Sequence, residues 1–272
     1  MSEFDDFARL ARALAPWSDR LVFVGGWAHR LHRFHPKANV PRFAALLTRD
    51  TDIALDVKVP MKDDIKAALA RQGFQEELRG DHRPPEASYT LGTENAGFYV
   101  EFLTPLAGSG RRRDGSPIAN ERRAGILAQR VRHLDILLIH PWQVTLDAEH
   151  GVPLPEPLNV LVAHPLCFMV QKFLIRESRH TQKKAAQDLL YIHDTIQMFG
   201  ERLPEFKEAW KGTVAPALGK SGVAEVLKQC EASLSAVDDI LRNAARIPQD
   251  RKLDAEEMRL TCQLAFEHIL FG

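Results

Sequence analysis

Residues 21–30 read Leu-Val-Phe-Val-Gly-Gly-Trp-Ala-His-Arg, and residues 46–56 read Leu-Leu-Thr-Arg-Asp-Thr-Asp-Ile-Ala-Leu-Asp. The apolar, β-branched run at 21–24 predicts a strand, and the residues after it can form a helix. Gly25 and Gly26 therefore fall at a strand-to-helix turn. Glycine lets the backbone approach a bound anion closely, and the free N–H groups at the start of a helix favour negative charge. The turn is a candidate phosphate site.

The second part of this stretch predicts a strand with one acidic face. Between residues 50 and 59, Thr, Ile, Leu and Val occupy the odd positions, while Asp50, Asp52 and Asp56 occupy even ones. Alternate side chains of a strand point the same way, so Asp50 and Asp52 share a face. Two carboxylates at this spacing repel each other, and a hard divalent cation such as Mg²⁺ accounts for their pairing because it takes oxygen ligands and bridges to phosphates. A glycine turn followed by an acidic strand indicates metal-assisted nucleotide chemistry.

A later strand places one more acid in apolar surroundings. Residues 98–103 read Phe-Tyr-Val-Glu-Phe-Leu, so Glu101 shares a face with Tyr99 and is the only charged residue of the strand. Burial of a carboxylate without a partner is costly, which favours a neighbouring cation or metal. The alternative is a glutamate on an edge strand that faces water.

These residues carry a resemblance to a known family. Gly25-Gly26 followed by Thr-Arg-Asp-Thr-Asp at 48–52 resembles the signature of the DNA polymerase beta-like nucleotidyltransferase superfamily. The resemblance implies that the glycine turn holds a triphosphate, that Asp50 and Asp52 hold Mg²⁺, and that Glu101 takes the place of the third carboxylate. The 23 residues between Gly26 and Asp50 form a longer link than the family pattern has. Residues 35–45 would be the insertion, either a substrate loop or a longer surface turn.

The pattern changes from strands to long helices near residue 163. Helical periodicity then runs over about 164–178, 182–199, 203–211, 222–245 and 254–271, whereas 134–139, 142–146 and 158–162 read as the last strands. The predicted fold class is α/β plus α. It consists of a small mixed β-sheet in a nucleotidyltransferase-like domain at 1–162, followed by a helical domain at 163–272 that closes the cleft.

The helical half contains a basic stripe on an apolar helix. Lys172, Arg176 and Arg179 recur at i, i+4 and i+7, and Asp188 lies in an apolar part of the next helix. This half resembles the abortive-infection type nucleotidyltransferases that act as toxins of bacterial toxin–antitoxin systems, with Gln187 in place of a frequent basic residue. The resemblance implies that Lys172 binds the nucleotide phosphates and that Asp188 completes the site. Arg176, on the same basic stripe, is a further candidate for holding the triphosphate. A structural salt bridge between Lys172 and Asp188 is a compatible alternative.

Composition places few limits on the partner. The chain has 36 basic and 36 acidic residues, so its net charge gives no argument for nucleic-acid binding. Arg111–Arg113 is a basic loop that would hold RNA phosphates or a second nucleotide, although such runs are usually solvated. Three distant cysteines predict reduced thiols, and no apolar run is long enough to span a membrane, so a cytoplasmic protein is expected.

The expected reaction is Mg²⁺-dependent transfer of a nucleoside monophosphate from an NTP to a hydroxyl or phosphate acceptor. The acceptor would be RNA such as a tRNA end, a protein, or a small hydroxylated drug, and a toxin would have an antitoxin partner. Two other classes stay open at this point. One is a member of the same fold that binds nucleotide or RNA without turnover, and the other is a metal-dependent phosphohydrolase, which would label no acceptor.

Overall fold

The computed structural model describes residues 3–46, 48, 50–56, 60–62, 64–79, 86–92, 97–108, 110, 120–179 and 181–272. The chain divides into two compact units. The first unit comprises Met1–His35 and Leu47–Ala163, and the second comprises Pro36–Leu46 and His164–Gly272.

The first unit is built on a mixed sheet. Its strands among the described residues are β1 (Leu21–Val24), β2 (Asp50–Leu55), β3 (Gln75–Arg79), β4 (Glu86–Leu91), β5 (Phe98–Pro105), β6 (Asn120–Arg123), β7 (Ile126–Val131), β8 (Trp142–Leu146) and β9 (Leu158–Val162). The strand order is β3-β4-β5-β2-β1-β9-β8, and the β6–β7 hairpin joins β5 through β7. Its helices are α1 (Glu3–Leu14), α2 (Gly25–Leu31) and α3 (Ile65–Arg71). The sheet is mixed as predicted, and it is larger than predicted.

Aromatic packing covers one face of the sheet. The Phe7 ring of α1 stacks on Trp27 of α2 with centroids 4.0 Å apart, and it lies 5.5 Å from the Phe23 ring of β1. Trp27 meets Phe98 of β5 edge-on at 5.7 Å. Since side chains alternate along each strand, the acidic positions of β2 and β5 point to the opposite face.

One predicted strand is wrong. Residues 134–139 were expected to be extended, but Asp135–Leu138 forms a 3-10 helix. Its neighbouring residues Ile136 and Leu137 are both buried, which a strand with one buried face cannot achieve. Two residues with positive φ, His133 (58°) and His140 (43°), flank the segment and turn the chain at each side.

The second unit is helical. Its helices are α4 (Pro165–Leu174), α5 (Gln182–Phe199), α6 (Leu203–Ala209), α7 (Ala215–Leu234), α8 (Asp239–Ala245) and α9 (Ala255–Phe271). A sheet unit followed along the chain by helices confirms the predicted fold class. The continuous helix expected over 222–245 is wrong, because α7 ends at Leu234 and the Asp238 side chain caps a new helix by accepting from the Leu241 N–H at 2.8 Å. None of the helices in the described ranges has the length and apolar character needed to cross a bilayer.

The insertion between the glycine turn and β2 packs with the helical unit. The Asn39 N–H donates to the Met198 carbonyl at 2.9 Å, and the Ala44 N–H donates to Asp250 Oδ2 at 2.7 Å. The guanidinium of Arg251 lies 3.5 Å from the centre of the Phe43 ring. These contacts give the long link a fixed path along the helical unit.

A buried histidine joins α2 to the end of β9. His32 follows α2, and its Nε2 lies 2.8 Å from the carbonyl oxygen of Ala163. The pKa of His32 is lowered to about 4, chiefly by burial and to a smaller extent by His35, while the hydrogen bond to Ala163 opposes the shift. The neutral imidazole, donating from Nε2, is therefore the folded form at neutral pH.

We expect acid to destabilise the fold through His32. Between the unperturbed value of 6.5 and about 4, the unfolded chain binds a proton that the folded imidazole does not bind. Above pH 6.5, His32 does not lower the free energy of unfolding. As the pH falls from 6.5 to 4, proton binding by the unfolded chain lowers the free energy of unfolding by about 3 kcal/mol. Urea unfolding of the wild type and His32→Gln across this range measures it. The two free energies of unfolding should converge on acidification, and parallel curves would contradict the assignment.

Candidate active site

The glycine turn and the first acidic strand meet at Asp52. β1 and β2 are antiparallel, and their register places Val24 opposite Asp52. Gly25 follows Val24 with φ +62°, and a Cβ built on it would lie 2.1 Å from Oδ2 of Asp52. The carboxylate therefore lies directly against the backbone of the turn. Both the positive φ and the lack of space require glycine at this position.

The third acid lies beside the first two in the sheet. β2 and β5 are parallel, with Asp50 opposite Tyr99 and Asp52 opposite Glu101. Residues opposite each other point to the same face. The register thus brings together Asp50, Asp52 and Glu101, all partly exposed, on the face of the sheet opposite α1 and α2.

The acidic row continues into two strands that sequence reasoning did not connect with the site. Ser88 of β4 is opposite Glu101, and Glu77 of β3 is opposite Ser88. Thr90 is opposite Tyr99 in the neighbouring row. Ser88 and Thr90 are almost fully buried, and their hydroxyls have no hydrogen-bond partner within the described residues. In the sequence, Ser88 and Thr90 alternate with apolar or aromatic residues over 87–91, and this alternation could have indicated a strand with a polar face.

In the second unit, Asp188 accepts from two cations. Lys172 Nζ lies 2.9 Å from Asp188 Oδ1, and Arg179 binds both carboxylate oxygens, from Nε at 2.5 Å and from Nη2 at 3.0 Å. The Lys172 ammonium also lies over the rings of Phe168 and Tyr191, 4.9 and 5.3 Å from their centres. Lys172 and Asp188 are 7% and 6% exposed, so the salt bridge considered from the sequence is present and buried.

The remaining members of the predicted basic groups lie elsewhere. Arg176 does not bind Asp188, and its Nη2 is 3.8 Å from an oxygen of Asp238, with the side chain 23% exposed. Gly26 is the second residue of α2. The loop Arg111–Arg113 lies outside the described residues.

Comparison with known proteins gives the family. Residues 3–216 match a family model described as Nucleotidyltransferase. The chain belongs to the nucleotidyltransferase family. Among solved structures, this nucleotidyltransferase is similar to MenT4, nucleotidyltransferase toxin Rv2826c from Mycobacterium tuberculosis H37Rv, at 15% identity and a TM-score of 0.39. The similarity covers 98% of this chain and 82% of that one. No curated protein sequence matches the chain.

The donor chemistry of the site suits a divalent cation. Carboxylate oxygens are the ligands Mg²⁺ prefers, and Asp50, Asp52 and Glu101 supply them from adjacent positions of one face. Asp50 Oδ1 accepts a hydrogen bond from the Thr48 hydroxyl. No group of three or more His, Cys, Asp or Glu side chains is already arranged around one metal in the part of the chain that the structure describes. The three carboxylates therefore suit Mg²⁺ in their ligand type and in their neighbouring positions on the sheet.

We expect Gly25→Ala to displace the Asp52 carboxylate. The added methyl would overlap Oδ2, so the Asp52 side chain must move. If Asp52 positions the reacting groups, a displacement of about 1 Å would lower the transfer rate about 100-fold. Gly151→Ala is the matched control, since Gly151 has φ +77° and open space where the Cβ would go. Both variants should lose about 1–2 kcal/mol of stability, because alanine is strained at a positive φ. Equal transfer rates in the two variants would contradict the contact.

Proposed function

We propose that this nucleotidyltransferase moves a nucleoside monophosphate from an NTP to an acceptor, and that Asp50, Asp52 and Glu101 bind the Mg²⁺ it requires. The observation that carries the proposal is the register of the sheet. It sets Asp52 beside Glu101 and against Gly25, so that an acidic face and a glycine turn adjoin. Three carboxylates on one partly exposed face repel one another, and a bound cation would relieve that repulsion.

In the proposed reaction, an acceptor oxygen attacks the α-phosphorus of the NTP. The new phosphorus–oxygen bond forms as the bond to the bridging oxygen breaks and pyrophosphate leaves. Mg²⁺, when bound, neutralises charge on the α-phosphate and on the leaving group. Asp50 and Asp52 would hold the ion. Glu101 would either take the proton of the acceptor or bind the ion as well, in which case the proton would pass to solvent. Gly25 and Gly26 allow the triphosphate to approach the backbone.

Nucleotide binding by Lys172, Arg176 and Asp188 stays a prediction. Lys172 is buried in its ion pair with Asp188. Arg176 has the more exposed side chain and only a long contact with Asp238. Among these three residues, Arg176 is the one whose positive charge is not neutralised by a close carboxylate of the described residues and could bind a phosphate. If it does, Arg176→Ala should raise the KM for NTP. A toxin role with an antitoxin protein also stays a prediction, from the resemblance of this half to the toxin subfamily.

For the acceptor, the exposed arginines of the β6–β7 hairpin favour RNA. Arg122, Arg123 and Arg132 are exposed on the hairpin or just after it. Arg130 is paired with Glu121. Exposed arginines can supply the phosphate contacts that dominate binding to nucleic acid. We therefore propose RNA ahead of a protein or small-molecule acceptor.

The test is transfer of label from NTP to acceptor. The wild type and Asp50→Ala/Asp52→Ala are incubated with Mg²⁺ and each α-labelled NTP in turn, together with total RNA and total cell protein. The proposal predicts labelled RNA with the wild type and none with the variant. Label on protein would overturn the RNA assignment but support the reaction. Nucleotide binding by calorimetry without any transfer would favour the non-catalytic alternative, and free nucleotide released without a labelled acceptor would favour a phosphohydrolase.

A further inference from the structure

Helix α9 presents an apolar stripe to solvent. Leu260, Leu264 and Phe271 are 41%, 62% and 72% exposed. They are spaced i, i+4 and i+11, and at 3.6 residues per turn such positions lie on one side of a helix. Single exposed leucines are ordinary, whereas a row of large apolar side chains marks an interaction surface.

A groove between α7 and α9 adjoins this stripe. It encloses about 540 Å³ and is lined mainly by apolar side chains. These are Leu227, Leu234, Phe266, Leu270 and Phe271, together with the thiol of Cys230. The volume lies within the range of ligand-binding sites. Phe271 belongs to both the groove and the stripe, so the two form one continuous surface, here called the α7/α9 groove.

The charge of the α7/α9 groove has one sign. Its charged lining residues are Glu231 and Glu267, and neither Lys nor Arg lines it among the residues that the structure describes. The two carboxylates line the groove together with Cys230. Burial raises the pKa of the Cys230 thiol, and the two negative charges raise it further. An occupant must therefore combine an apolar surface with positive charge.

We propose that the α7/α9 groove docks a basic amphipathic helix of a partner protein. The stripe runs over Leu260–Phe271, about 16 Å of helix and thus about three turns, which suits another helix better than a compact small molecule. A second copy of this chain fits less well. Pairing α9 with its own copy would bring Glu257 and Glu267 of one chain against an equally acidic face of the other. This inference goes beyond the proposed reaction and does not depend on it.

The probe is a fluorescent peptide of about 20 residues, long enough to form a helix. It has Leu at one apolar stripe and Lys beside that stripe, and a second peptide has Glu in place of every Lys. Anisotropy titration of the full-length protein should show binding of the Lys peptide only. Leu264→Ala should weaken it at least about 10-fold, as expected for loss of one large apolar anchor. Leu78→Ala is the matched control, since Leu78 is 61% exposed on β3.

Charge reversal and a thiol readout complete the experiment. The Glu231→Lys/Glu267→Lys variant should lose the Lys peptide and gain the Glu peptide. The Lys peptide should also slow alkylation of Cys230, which is partly exposed while Cys167 and Cys262 are buried. Equal affinity of both peptides, or equal effects of Leu264→Ala and Leu78→Ala, would overturn the proposal. So would self-association of the unliganded chain that Leu264→Ala abolishes, because the occupant would then be a second copy.

Discussion

Asp52→Asn is expected to lower the rate of nucleotidyl transfer at least about 10³-fold, equivalent to about 4 kcal/mol of lost transition-state stabilisation. Asparagine keeps the size of the side chain beside Gly25 but removes the negative charge. An amide oxygen binds Mg²⁺ more weakly than a carboxylate because it carries no negative charge, so the affinity for the ion should fall. The partial exposure of Asp52 means that the fold should survive the change. Single-turnover rates at saturating NTP and Mg²⁺ measure the effect.

Asp56→Asn is the matched control for this variant. Asp56 lies just after β2 at a position of the same parity as Asp52, and it is also partly exposed. Asp56 lies four residues after Asp52, so it is opposite neither the residue before the glycine turn nor Glu101. The control should keep transfer within a few-fold of the wild type, whereas Asp52→Asn should lose both transfer and Mg²⁺ affinity measured by calorimetry. An Asp52→Asn protein with near wild-type turnover would exclude Asp52 as a metal ligand.

Local sequence pattern was sufficient to predict the glycine turn and the acidic strand face of the candidate site. The apolar run of β1 ends where the two glycines begin, and period-two alternation placed Asp50 and Asp52 on one face. The sequence did not show that β2 pairs with β5 and not with the nearer β3 or β4. Strand order depends on packing between distant segments, which local periodicity does not encode. The position of Glu101 beside Asp52 came from family resemblance, and the register now gives it a physical basis.

The features that sequence reasoning missed each depend on tertiary contacts or on short capping signals. The break between α7 and α8 rests on one side chain, Asp238, within a run of otherwise helical periodicity. The path of residues 36–46 rests on backbone groups, such as the Asn39 N–H, that meet partners far along the chain. Ser88 has no motif of its own and became a site neighbour only through the pairing of β4 with β5. Neither composition nor periodicity indicates which strands will pair with each other.

Asp188→Asn is expected to destabilise the protein by about 3–5 kcal/mol, the usual result of removing one partner from a buried ion pair. The Asp188 carboxylate binds Lys172 and Arg179, and the Lys172 side chain is only 6% exposed. Asparagine retains one acceptor oxygen, but it leaves a buried ammonium without an anion. Urea unfolding measures the change. Asp239→Asn, which removes an ion pair of an 83% exposed carboxylate with Arg242, should have little effect.

A second substitution separates the structural role of Asp188 from a role in nucleotide binding. Lys172→Met in the Asp188→Asn background removes the buried charge, so part of the lost stability should return, since Arg179, at 25% exposure, can still reach water. If the pair only joins α4 to α5, the rescued protein will also regain transfer activity per folded molecule. If Lys172 contacts phosphate, the double variant will be stable and still inactive. Stability and turnover measured on the same samples therefore decide between two interpretations that the sequence alone left compatible.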